Sequence, residues 1–244
     1  MNKCLFNSFI LMLITAFVLC GCGEGSGGTA FSVNNIEVSK EELIFYMRRS
    51  SDVVIADAET NYGLDVTKDG FWNEPMGDKT PLDVLKQTAI KEIIRSKVML
   101  SASEKYGAEV QLTYSEQQAA WKKDNDERQR KEKNGEMLYG ATLRSFYTYL
   151  SLFSSETENK LKSGLKDDKI ITVSDREIKE YYSSHPEYFT GDNSDFESND
   201  SAIFTWIFNE KFEDYLDTLV KNASVEDIDM TVNTDLLNGS VKLK

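Results

Sequence analysis

Three helix starts constrain this chain more than any other feature. Ser39-Lys-Glu-Glu42 and Ser174-Asp-Arg-Glu177 each set a serine hydroxyl three residues ahead of a glutamate. That spacing lets side chain and backbone cap each other at a helix N-terminus. Thr80-Pro81 is a third start, a cap residue followed by proline at the first helical position. Behind it Leu82, Leu85, Ala89 and Ile93 recur at helical spacing, widened by Ile90, Ile94 and Val98, until Gly107 closes the run. So broad an apolar face belongs against a core.

The rest of the chain reads in the same terms. Phe31 to Val38 alternates apolar and polar residues around Asn34-Asn35, the pattern of a short hairpin. The helix begun at Ser39 carries Leu43, Ile44, Tyr46 and Met47 and is expected to fade near Glu59. Residues 61–79 hold Gly63, Gly70, Pro75 and Gly77 among scattered aromatics and predict a long loop. A third helix is expected from about Thr113 or Ser115 through Trp121. It runs into Lys122–Lys133, where ten of twelve residues are charged with mixed signs, the pattern of a solvated helix face. Thr142 to Leu165 predicts a fourth helix striped by Leu143, Phe146, Leu150 and Phe153. The helix opened by Ser174 should stop at His185-Pro186. Asn209 to Ala223 predicts a sixth, with Phe212, Tyr215, Leu216 and Leu219 on one side. Val225 to Val232 looks extended, and residues 235–243 could close a small hairpin. The fold class is therefore mainly α with a small β element.

The N-terminus has a different grammar. Lys3 precedes an uncharged apolar run from Phe9 to Leu19, too short for a bilayer-spanning helix of about 20 residues. It ends in Leu19-Cys20-Gly21-Cys22. A basic start, a short apolar run and small residues at its end describe an export signal. Leu-x-Gly-Cys resembles the bacterial lipobox, which implies cleavage before Cys22 and lipid attachment to that cysteine. Residues 1–21 are then a signal peptide and 22–30 a Gly-rich tether. The expected location is the extracytoplasmic face of a cell membrane, reached through the lipid.

Composition narrows the chemistry. The chain has 28 basic and 41 acidic residues, and loss of Lys3 with the signal leaves the mature form near −14. That argues against nucleic acid as a partner. Cys4 and Cys20 leave with the signal, and lipid would occupy Cys22, so no disulfide is expected. With His185 the single histidine, no metal, no cofactor and no catalytic residue is assigned.

The order of these pieces resembles the extracytoplasmic chaperones of the SurA and PrsA type. Val33-Asn34-Asn35-Ile36 followed by Ser39-Lys40-Glu41-Glu42-Leu43 is similar to that family's opening. Ala102-Ser-Glu-Lys-Tyr-Gly107 nearly matches its helix end, with one residue extra. Ile171 through Phe189 resembles the segment that precedes the parvulin domain, and Phe212 to Glu226 the helix and strand that follow it. The resemblance implies a discontinuous helical domain like the peptide-binding domains of SurA and trigger factor, built from residues 31–189 plus 203–230. Only the acidic linker 190–202, thirteen residues long, stands where the family carries its parvulin domain. A domain needs about 50 residues or more. Residues 231–244 form a C-terminal tail.

The function this implies is a membrane-anchored chaperone that holds newly exported or unfolded polypeptides. One alternative is an active peptidyl-prolyl isomerase, as the family's name would suggest. Another is a scaffold lipoprotein with a single envelope partner. A chaperone needs exposed apolar surface rather than a reactive residue. Tyr147 and Tyr149, off the stripe of their helix, and Phe71 and Trp72, in the Gly-rich loop, are the candidates for contact with a client. Phe146 and Phe153 are assigned to the core. His185 reads as a helix end, and Asp192, Asp195, Glu197 and Asp200 as a solvated stretch without calcium-loop spacing.

Overall fold

The computed structural model describes residues 28–190, 195–226, 228 and 229. Two strands open it, β1 (Thr29–Val33) and β2 (Ile36–Ser39), paired antiparallel across Asn34-Asn35. Both asparagines have positive φ, 50° and 65°. A tight hairpin needs that conformation, and asparagine tolerates it better than most residues. A third strand, β3 (Val225–Glu226), pairs antiparallel with the other edge of β1, so the order is β2-β1-β3. The Asn34 amide also donates to the Ser224 carbonyl, and the Ser224 amide to Asn34 Oδ1. The two ends of the described chain therefore meet in one sheet.

Among the described residues six α-helices complete the architecture: α1 (Lys40–Tyr62), α2 (Pro81–Glu104), α3 (Tyr114–Lys133), α4 (Phe146–Asp167), α5 (Asp175–Ser184) and α6 (Phe196–Lys221). Each N-terminus has a side-chain cap. Ser39 accepts from the Glu42 amide, while Thr80, Thr113 and Ser174 form reciprocal capping boxes with Asp83, Glu116 and Glu177. α1 continues to Tyr62, one turn past the expected fade, because Gly63 supplies a left-handed cap at φ 66°.

Two larger differences from the sequence reading are physical in origin. α4 starts at Phe146 rather than Thr142, because Ser145 is the residue that caps it. Leu143 therefore leaves the helical stripe and is 58% exposed in the preceding loop. α6 starts at Phe196 rather than near Asn209. Asp195 accepts from the Ser198 amide, and Ile203 and Ile207 then bury one face. The stretch 190–202 is thus a linker only as far as Asp195. Residues 191–194 and the expected hairpin at 235–243 lie outside the described residues.

Among the described residues three apolar clusters form the core. The first joins Phe31, Val33 and Val38 of the sheet to Leu43, Met47, Val54, Leu85 and Ile93 on α1 and α2. The second joins Met99 of α2, Leu161 and Leu165 of α4, and Phe208, Phe212 and Leu216 of α6. The third holds α5 on α6 through Ile178, Phe189, Ile203 and Ile207. Leu219 packs against the first two, so the C-terminal helix is continuous with the N-terminal body. Close approach of α4 to the end of α2 requires Gly164, where a Cβ would sit 2.0 Å from the Tyr106 ring.

An ion pair crosses this core. Lys97 Nζ lies 2.7 Å from Glu42 Oε1, with both side chains 1% exposed. Lys97 also donates to the Leu112 carbonyl, so α1, α2 and the segment before α3 are tied at one point. Burial pushes the Glu42 carboxyl above its usual range, and Lys97 only partly offsets this.

Candidate functional site

The most exposed apolar side chains on one continuous part of the chain belong to α3, α4 and the loop between them. α3 is polar almost throughout, and it forms because Thr113 and Glu116 cap one end while Arg130, Lys131 and Lys133 suit the dipole at the other. Its few buried polar groups hold the returning loop. The Arg128 guanidinium donates to the carbonyls of Tyr139 and Ala141. Asn125 donates to the Arg144 carbonyl and accepts from the Arg144 amide. Trp121 Nε1 donates to that same carbonyl at 2.7 Å. Gly135 and Gly140 take positive φ at the loop's two bends.

A loop fixed in this way presents its side chains outward. Met137 is 78% exposed and Tyr139 81%, with Leu143 following. At the base of the limb the rings of Phe45, Tyr114, Trp121 and Phe146 pack at centroid distances of 5.2–5.9 Å. Phe146 is therefore a packing residue, as its stripe predicted. Desolvation there drives the Tyr114 phenol up to about 12.

The four aromatic candidates divide. Tyr147 lies on the solvent side of α4, 54% exposed, with the Arg49 guanidinium 5.6 Å from its ring and 5.6 Å from that of Tyr46. Tyr149 is half-buried; its hydroxyl donates to Gln111 Oε1 and its ring stacks on Phe153 at 6.2 Å. Burial holds its phenol above the usual range. Phe71 and Trp72 are a correction. Both are 5% exposed, stacked edge to face in a 3₁₀ turn (Phe71–Asn73) that folds onto the first core cluster. Burying two large rings outweighs the loop composition that suggested exposure. They offer no contact surface. Cys22 lies outside the described residues.

Two grooves flank α4 and share Phe153. One, about 370 Å³, runs between the base of α3 and α4 over Tyr149, Leu152 and Thr157. The other, about 270 Å³, lies toward α1 and α2 over Tyr46, Met99 and Leu150. The sequence reading did not single out Met137, Tyr139 or Leu152. Gly135 and Gly140 bracketing Met-Leu-Tyr is the signal that could have pointed to the loop.

Among the described residues no group of three or more His, Cys, Asp or Glu side chains could hold a metal ion, and no helix is long and apolar enough to cross a membrane. His185 closes α5, with Nδ1 2.9 Å from the Tyr181 carbonyl. Comparison with protein-family models, with curated proteins and with solved structures found no match.

Proposed function

We propose that this chain is a lipid-anchored, extracytoplasmic chaperone of the SurA and PrsA type, which holds newly exported polypeptides without isomerising them. The observation that carries the reading is the limb of α3, α4 and their loop. It displays Met137, Tyr139, Leu143, Tyr147 and Leu152 to solvent on a backbone fixed by Arg128 and Asn125. Exposed apolar side chains on a rigid support favour contact with unfolded segments, because little ordering entropy is lost on binding. The mainly helical body, with a C-terminal strand completing the N-terminal hairpin, accords with the discontinuous peptide-binding domain that the resemblance implies. The absence of isomerase chemistry rests on length: only residues 190–195 separate Phe189 from α6. Anchoring rests on Leu19-Cys20-Gly21-Cys22.

Client affinity should be micromolar, about −8 kcal/mol, since a held chain must leave. The mature protein should therefore suppress light scattering by an unrelated unfolding protein at near-stoichiometric ratio. Tyr139→Ser with Tyr147→Ser should weaken that suppression at an unchanged melting temperature. Failure of the parent protein to suppress aggregation would overturn the chaperone reading.

A further inference from the structure

Charge is unevenly distributed along the fold. Residues 114–170, which contain α3 and α4, have eleven basic and ten acidic side chains. Residues 175–221, which contain α5 and α6, have four basic and twelve acidic ones. Two of those four cations are paired internally, Lys211 with Glu177 and Arg176 with Glu180. The acidic unit would be expected to show water a purely polar face, yet it displays aromatic rings.

Those rings form a ladder across α5, the short 3₁₀ turn Pro186–Tyr188 that follows it, and α6. Tyr181 of α5 stacks on His185 at 4.2 Å, and His185 on Tyr188 at 5.7 Å with ring planes 5° apart. Trp206 of α6 stands 5.9 Å from Tyr181 and 6.3 Å from the buried Phe189. Tyr188 is 56% exposed and Trp206 43%. Tyr181 packs on the cluster of Ile178, Ile203 and Ile207, and face-to-face stacking carries that support on to His185 and Tyr188. Glu187 and Glu210 border it. After burial and the Tyr188 phenol, their carboxylates help raise the Tyr181 phenol above its usual range.

We infer that the Tyr181–His185–Tyr188–Trp206 face is a docking surface for a basic polypeptide segment, one that carries lysine or arginine beside apolar residues. A cation over an aromatic face gains from the ring quadrupole, tryptophan most of all. Surrounding carboxylates raise the local concentration of cationic segments and repel anionic ones. The net excess of eight acidic residues in this unit selects a cationic occupant over an acidic second copy of the chain. The surface lies on α5 and α6, apart from the α3–α4 limb, and the inference holds whether or not the limb binds clients.

The test uses the chain from residue 22 to Lys244 with Cys22→Ser, so that no lipid is attached. Its probe is a fluorescein-labelled peptide of three Gly-Lys-Leu-Lys repeats, with a twin in which glutamate replaces lysine. Fluorescence anisotropy should show the lysine peptide binding at least about tenfold more tightly than the glutamate twin. The preference should shrink as salt rises from about 0.05 to 0.5 M, because exposed charges are then screened within a few ångströms. Tyr188→Ser with Trp206→Ser should lower affinity for the lysine peptide about tenfold at an unchanged melting temperature. Glu187→Gln with Glu210→Gln, which leaves every ring in place, should lower it severalfold. Equal binding of both peptides would overturn the proposal by showing plain apolar capture. Unchanged binding by the ring variant would overturn it by placing the site elsewhere. Self-association that Trp206→Ser abolishes, without effect on peptide binding, would make a second copy the occupant and overturn it too.

Discussion

Replacing Lys97 with methionine removes the charge from a site where almost no water reaches. The ammonium and the Glu42 carboxylate are 2.7 Å apart and each 1% exposed. At that distance their attraction is about 6 kcal/mol for an effective dielectric near 20. Desolvating each ion costs several kcal/mol, so the intact pair contributes little net stability. Removing one partner is different, because the other is left buried with nothing to offset its charge. Glu42 Oε2 already lacks a hydrogen-bond partner, and the Leu112 carbonyl would lose its donor as well. Lys97→Met should therefore cost about 3–5 kcal/mol at pH 7.5. For a domain of this size that lowers the melting temperature by about 6–20 °C.

The pH dependence carries the sharper signature. In Lys97→Met the burial that raises the Glu42 carboxyl is unopposed. A group raised in the folded state contributes stability that is fully present below its unfolded value, about 4.3, and is lost as pH rises through the folded value. The variant should thus lie nearest the parent protein near pH 4 and fall away toward pH 8. Urea denaturation followed by circular dichroism across that range measures it. Adding Glu42→Met should restore stability to the parent's level or above it, since no buried charge remains. If the double variant is as unstable as the single one at pH 7.5, the cost is packing and the electrostatic reasoning is wrong.

Two further outcomes concern the C-terminal half. Phe212 is fully buried in the cluster that joins α2, α4 and α6, with Lys162 Nζ 4.7 Å from its ring centre. Phe212→Ala should cost about 3–5 kcal/mol in urea denaturation, and an unchanged midpoint would mean α6 unfolds apart from the body. Glu177, capping α5, accepts from Lys211 and from the Ser174 amide and hydroxyl, which together lower its carboxyl to about 2. A depressed carboxyl contributes stability above its ordinary value and loses it as pH falls toward 2. Glu177→Gln should flatten the acid-unfolding profile between pH 4.5 and 2; the same slope in both proteins would remove Glu177 from the account.

The sequence determined most of the local structure, because helix starts and apolar periodicity act over a few residues. Ser39, Thr80 and Ser174 cap helices where their spacing says they should, and Asn34-Asn35 turns the hairpin. Phe146, Leu150, Phe212 and Leu216 face inward as their stripes require.

Only tertiary structure decided the rest. Phe71 and Trp72 sit among glycines in a loop, and nothing within ten residues shows that the loop folds back onto α1 and α2. Glu42 reads in sequence as the glutamate of a capping box and Lys97 carries no local signal, and their burial exists only because two helices distant in sequence cross at that point. The exposed Met137–Leu143 loop depends on Arg128, whose guanidinium reaches backbone carbonyls eleven and thirteen residues on. The aromatic ladder of α5 and α6 depends on Ile203 and Ile207 drawing α6 under α5. Caps and stripes state what each segment prefers by itself, but long-range burial decides which side of it meets water.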